Sequence, residues 1–115
     1  MTGDGAGKVI KVDELPGGEN AETFNGHEHG ASVSFFVSHN KPETGPELHR
    51  HPYEEIFIVQ EGDVLFTAGE DTIDATAGDI VIVPAGTPHK FLSRGATHRQ
   101  VSIHPAARMQ TEWLE

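Results

Sequence analysis

Between Ile56 and Ile103 the chain is punctuated so often that only short strands fit. Ile56-Phe57-Ile58-Val59 stops at Glu61-Gly62-Asp63. Val64-Leu65-Phe66-Thr67 runs into Gly69-Glu70-Asp71, which reads as a hairpin turn. Thr72-Ile73-Asp74-Ala75 alternates cleanly and ends at Ala77-Gly78-Asp79, and the apolar run Ile80-Val81-Ile82-Val83 ends at Pro84. Lys90 to Leu92 and Gln100 to Ile103 add two more segments. Strands this short and this closely spaced predict an all-β sandwich or barrel. The 13 glycines agree, since tight turns need residues that tolerate positive φ. Upstream, Ala31 to Ser38 is rich in β-branched and aromatic residues and predicts a strand, and Lys8 to Val12 predicts a first short one. Only Ala106 to Leu114 predicts a helix, a short C-terminal one in which Met109 and Trp113 share a face.

No internal repeat or second run of elements is present, so residues 8–115 read as one domain behind a small, polar tail over residues 1–7. The chain has no cysteine, which excludes disulfides and thiolate ligands and fits a reducing compartment. A formal charge of -10 repels phosphate backbones, making nucleic acid and anionic membranes poor partners. No apolar run approaches the ~20 residues of a membrane span, and the start lacks the basic-then-apolar pattern of a secretory signal. The expected location is the cytoplasm.

The segment His49-Arg50-His51-Pro52-Tyr53-Glu54-Glu55 reads as most of a metal site. Alternate residues on a strand share a face, so His49 and His51 point the same way, with Glu55 at matching parity and Glu54 opposite. A third imidazole, His89, follows the turn Pro84-Ala85-Gly86-Thr87-Pro88 on a later strand. Three neutral imidazoles and a carboxylate suit one divalent first-row metal: iron, manganese, nickel, copper or zinc. If the histidines face inward, Ile56 and Ile58 face outward, and the run from Ile80 to Val83 is apolar on both faces. Something must cover such an outer face. A homodimer is the expected cover; the chain's own N-terminal strand or C-terminal helix is the other candidate.

These residues resemble the cupin superfamily, of the small single-domain kind. The first cupin motif is a glycine, five residues, His-X-His, three or four residues, Glu, six residues and Gly. His49, His51, Glu55 and Gly62 match it, while Gly45 stands two residues too close to His49 to be its opening glycine. The second motif is matched by Gly78, Pro84, Gly86 and His89, with Ser93 where asparagine is usual. The resemblance implies a double-stranded β-helix, the jelly-roll cupin barrel. It also implies a metal near one mouth, held by His49, His51, Glu55 and His89.

Other residues carry weaker expectations. Tyr53 should face inward, either as a catalytic acid or substrate-orienting group beside Glu55, or as a wall residue. Phe57 and Phe91 are expected to line the pocket. Arg99 shares parity with Val101 and is a candidate to reach a substrate carboxylate. By the same parity His98 and His104 fall on the face opposite Val101 and Ile103, which reads as surface. His27 and His29 form a second His-X-His that matches no cupin ligand position. Arg50 and Glu54 read as solvent-facing.

The site leaves open positions on an octahedral metal. The first reading is therefore a metal-dependent enzyme of dioxygenase, isomerase or lyase type acting on a small oxygen-bearing molecule. The second is a non-catalytic module that binds or senses a small ligand. A purely structural metal is the weakest, since closed structural sites usually keep no open position.

Overall fold

A computed structural model describes residues 6–115. Ten strands follow in chain order: β1 (Ala21–Phe24), β2 (Ser34–Ser38), β3 (His49–Arg50), β4 (Glu55–Glu61), β5 (Asp63–Ala68), β6 (Asp71–Thr76), β7 (Ile80–Val83), β8 (His89–Ser93), β9 (Arg99–His104) and β10 (Glu112–Trp113). They form two five-stranded antiparallel sheets, ordered β1-β2-β9-β4-β7 and β10-β3-β8-β5-β6. This is the expected all-β jelly roll. The inward residues of β4, β5, β7 and β8 meet in one apolar core built on Phe57, Val59, Val64, Phe66, Val81 and Val83.

The two ends of the chain depart from expectation. Lys8 to Lys11 form no strand, and Val12–Glu14 is a single 3-10 turn. The edge they might have paired is taken by a local bridge, Gly17 to Glu22, which leads into β1, a strand without a strong sequence signal. The expected tail over residues 1–7 falls mainly outside the described residues. At the other end there is no helix. Residues 112–113 form β10 instead, with Glu112 opposite Arg50 and Trp113 opposite His49, and Leu114 N–H donates to the Leu48 carbonyl at 2.9 Å. A helix of nine residues is marginal on its own, whereas β3 offers an open edge whose backbone groups need partners.

The loop before β3 explains the displaced motif glycine. A Cβ on Gly45 would lie 1.8 Å from the Phe91 carbonyl oxygen, so close approach to β8 demands glycine there. Two residues earlier, where the cupin pattern places its glycine, stands Glu43. It is the non-glycine residue with positive φ (62°) among the described residues. The left-handed region costs an L-residue about 1–2 kcal/mol, and glycine returns part of that gain as unfolded-state entropy. Glu43→Gly should therefore raise stability by about 0.5–1 kcal/mol. A thermal or urea melt checks it; a lower midpoint would mean the Glu43 side chain contributes more than its backbone strain costs.

On the sheet containing β4, the outward residues form two apolar rows across the strands. Phe35, Ile103, Ile56 and Ile82 are successive partners, as are Val37, Val101, Ile58 and Ile80. Ile80 and Ile82, on the edge strand, remain 63% and 62% exposed. The outward apolar face expected for β4 and β7 thus extends over β9 and β2 as well.

Candidate metal centre

Pairing of β3 with β8 sets His49 directly opposite His89. His51 follows two residues later, and Glu55 opens β4. All four are buried, and one possible ligand atom from each lies within 4.8 Å of the others. Two distant pieces of chain therefore meet at one point because their strands are neighbours in the same sheet, with the carboxylate supplied from the facing one.

The hydrogen bonds fix which imidazole nitrogen is free. His49 Nδ1 lies 2.7 Å from the Glu47 carbonyl, His51 Nδ1 2.7 Å from the Gln110 carbonyl, and His89 Nδ1 2.8 Å from the Thr87 carbonyl. A carbonyl oxygen only accepts, so each Nδ1 carries the hydrogen and each neutral ring presents a bare Nε2. Two of those Nε2 atoms face another acceptor: His89 is 2.8 Å and His51 3.0 Å from the same oxygen, Oε1 of Glu55. His51 Nε2 is buried and has no properly aligned partner. Lone pairs set against lone pairs require a positive species between them, a proton or a metal ion. The donor set of three imidazoles and a carboxylate suits a divalent transition metal. The residues present fit the ion that the sequence leads one to expect.

The electrostatics agree. Burial opposes ionisation of Glu55, but its close contacts with the His104, His51 and His89 imidazoles outweigh it and hold the carboxyl well below its usual range. Burial lowers the basicity of His49 more than the Glu47 carbonyl restores it, keeping that ring neutral, as a ligand must be. For His51, burial is overcome by the Glu55 and Gln110 contacts, and its pKa is raised.

His104 was not expected here. Its ring is 1% exposed, with Nε2 3.1 Å from Oε2 of Glu55. The contact is close, though not aligned as a linear hydrogen bond. Its Nδ1 lies 2.8 Å from the Tyr53 hydroxyl, which also accepts the Gln110 N–H at 3.2 Å. With Tyr53 donating to Nδ1, His104 carries its hydrogen on Nε2, directed at Glu55. The carboxylate is thereby divided, Oε1 toward the ligand imidazoles and Oε2 toward His104. Parity along β9 holds with the two faces reversed from expectation: Gln100, Ser102 and His104 are buried, while Val101 and Ile103 belong to the outer apolar face. His98, just before β9, is buried too. The signal lay in β4 and β7, whose outward residues are already apolar; their neighbour continues that face.

The same inversion moves Arg99. It is exposed on the outer face and does not line the cavity. Phe91 lines the cavity. Phe57 does not; it lies in the core beneath, edge-on to His89 with ring centroids 6.1 Å apart. Tyr53 stacks on His51, with planes 3° apart, but sits behind the cavity wall with its hydroxyl engaged by His104. Its hydroxyl is thus directed at His104 and not into the cavity. Arg50 pairs with Glu112 at 2.8 Å on the surface. The second His-X-His contributes nothing to the cluster: His27 is exposed, and His29 stacks on Phe24 at 4.6 Å.

Above the ligands opens a cavity of about 350 Å³. Its rim includes Thr111 and Trp113 of the C-terminal segment, with Trp113 packed on His49 at 5.0 Å between ring centroids. The strand that replaced the expected helix thus closes one side of the site.

A buried cluster of three histidines and a glutamate at the mouth of a jelly roll defines the class, and comparison with known proteins agrees. The family model described as the cupin domain matches residues 36–103, more than half of the chain. The chain belongs to the cupin family. An uncharacterized protein of Methanocaldococcus jannaschii is 33% identical over 72 residues, covering 59% of this chain and 58% of that protein. The chain thus spans little more than half the length of that relative. Among solved structures, an uncharacterized Klebsiella pneumoniae protein with a double-stranded β-helix domain superposes with a TM-score of 0.71 at 21% identity, over 95% of this chain and 98% of the other. A variant of Bacillus subtilis oxalate decarboxylase gives a TM-score of 0.78 at 17% identity, over 99% of this chain but only 35% of that one. At these identities the structural likeness concerns the fold.

Proposed function

We propose that residues 8–115 form one metal-dependent cupin domain, an enzyme of dioxygenase, isomerase or lyase type that acts on a small oxygen-bearing molecule. The observation that carries this reading is the convergence of three Nδ1-locked imidazoles and Glu55 Oε1 beside a cavity, lined by His49, His51 and Glu55, that is large enough for a small ligand. His49, His51, Glu55 and His89 would hold the ion. A bound divalent ion supplies Lewis acidity, polarising a substrate oxygen. The chain supplies the rest. Phe91 and Trp113 exclude water from the walls, His104 holds the far oxygen of Glu55, and Glu55 is the group placed to take or return a proton beside the substrate. The absence of cysteine supports a cytoplasmic setting.

Metal analysis of the purified protein tests this first, with near-stoichiometric metal expected. Protein loaded separately with iron, manganese, nickel or zinc is then screened against small diols, diketones and hydroxy acids. Oxygen uptake or product formation supports the enzyme. Saturable binding with every ligand recovered unchanged would make the chain a sensing module instead.

The outer face supports a homodimer. Its two apolar rows end at β7, an edge strand whose exposed Ile80 and Ile82 lie beside an unpaired backbone. A second copy of β7 placed antiparallel is self-complementary in shape and chemistry. Sedimentation should show a dimer, and Ile82→Asp should convert it to monomer with an unchanged circular dichroism spectrum. A monomeric wild-type protein would refute the arrangement.

A further inference from the structure

All eight lysines and arginines lie among the described residues, and none lines the cavity above the metal cluster. Those with partners are engaged at the surface: Lys41 with Glu19, Arg50 with Glu112 and Lys90 with Glu115. Arg94, Arg99 and Arg108 are exposed. The walls are of two kinds. Phe36, Phe91, Trp113 and Pro46 are apolar, while Asn20, Ser38, Asn40 and Thr111 bring neutral amides and hydroxyls; His104 also reaches the wall, but both its ring nitrogens are already engaged, by the Tyr53 hydroxyl and by Glu55. Glu55 is the lone acid there, and the surrounding chain is strongly acidic.

Charge counting then limits the ligand. A divalent ion held by one carboxylate and three neutral imidazoles carries one net positive charge. A singly charged chelating ligand brings the buried site to neutrality. A doubly charged one leaves a net negative charge among aromatic rings, with no cation in the walls to receive it and a protein of charge -10 around it. The neutral amides and hydroxyls can orient a polar substituent but cannot balance a second carboxylate.

We infer that this cavity selects a neutral or singly charged oxygen chelator with a flat or apolar body, and discriminates against small dicarboxylates. The inference rests on the metal-centre reading and adds the substrate class to it. It also separates this chain from what its fold alone would suggest, because the barrel superposes on that of oxalate decarboxylases while its walls lack a partner for a second carboxylate.

Maltol and oxalate form a matched pair of probes. Both bind a metal through two oxygens in a five-membered ring, but maltol does so as a monoanion with a flat ring and oxalate as a dianion. Calorimetric titration of the zinc-loaded full chain, with metal content measured before and after, should show maltol binding tighter than oxalate by about tenfold or more. The metal-free protein should bind neither. Equal or tighter binding of oxalate overturns the inference while leaving the metal centre intact. A protein that takes up no zinc or other divalent metal overturns the metal-centre reading itself, and this inference with it.

Discussion

His51→Ala should purify with little of the metal expected of the wild-type chain. Loss of an outer-shell partner alone typically weakens a metal site about 10–100-fold, and removal of a ligand should exceed that. As a proposed ligand His51 is held on several sides: its Nδ1 by Gln110, its ring by stacking on Tyr53, and its Nε2 beside the Glu55 Oε1 that it shares with His89. Metal analysis reads the loss directly, and melting reads it independently. Free metal at 100 times its dissociation constant should stabilise the wild type by about 2.7 kcal/mol, roughly 10 °C in a domain of this size. His51→Ala should gain almost nothing. Acid should release the ion as well. In the metal-free protein the His51 pKa is raised, so a proton competes for Nε2 from above the ordinary histidine range, and affinity falls as pH drops through it. Equal metal content in both proteins would remove the four-ligand assignment.

His104→Phe should weaken metal binding by about 10–100-fold although no ligand is lost. The substitution keeps a ring of similar shape in a buried place and removes the one group facing Glu55 Oε2. A buried carboxylate oxygen left without a donor costs about 1–3 kcal/mol or more, which Glu55 can relieve by moving away from the position in which it would serve the ion. The change is therefore one of coordination, visible in the absorption spectrum of the cobalt-loaded protein. His104→Gln, whose amide can still donate, should restore part of the affinity. Tyr53→Phe should have a smaller effect in the same direction, since Tyr53 acts only by setting the hydrogen on His104. A folded His104→Phe with unchanged affinity and cobalt spectrum would show that Glu55 holds its position unaided.

Much of this site was legible in the residues themselves. His-X-His followed by Glu at matching parity, and a histidine after a Pro-X-Gly turn, identified four donors that the fold brings within 4.8 Å. The rapid alternation of short apolar runs and turns identified the barrel. The errors share one cause. Val101 and Ile103, being apolar, read as inward, which sends His104 to the surface and Arg99 toward the cavity. In this barrel the sheet bearing β9 has apolar side chains on both faces, so hydrophobicity could not say which was inside. The C-terminal helix failed similarly: Met109 and Trp113 have helical spacing, but a strand edge waiting beside His49 outweighed it.

Local chemistry and period two, both written in the chain, determined which atoms can bind a metal and which neighbours share a face. Packing alone decided which face became the interior, that the last residues would lie along β3 and cap the cavity, and that a fourth histidine would stand behind Glu55. Those outcomes depend on contacts between segments as far apart as Tyr53 and His104, whose energies exist only once the sheets have closed on each other.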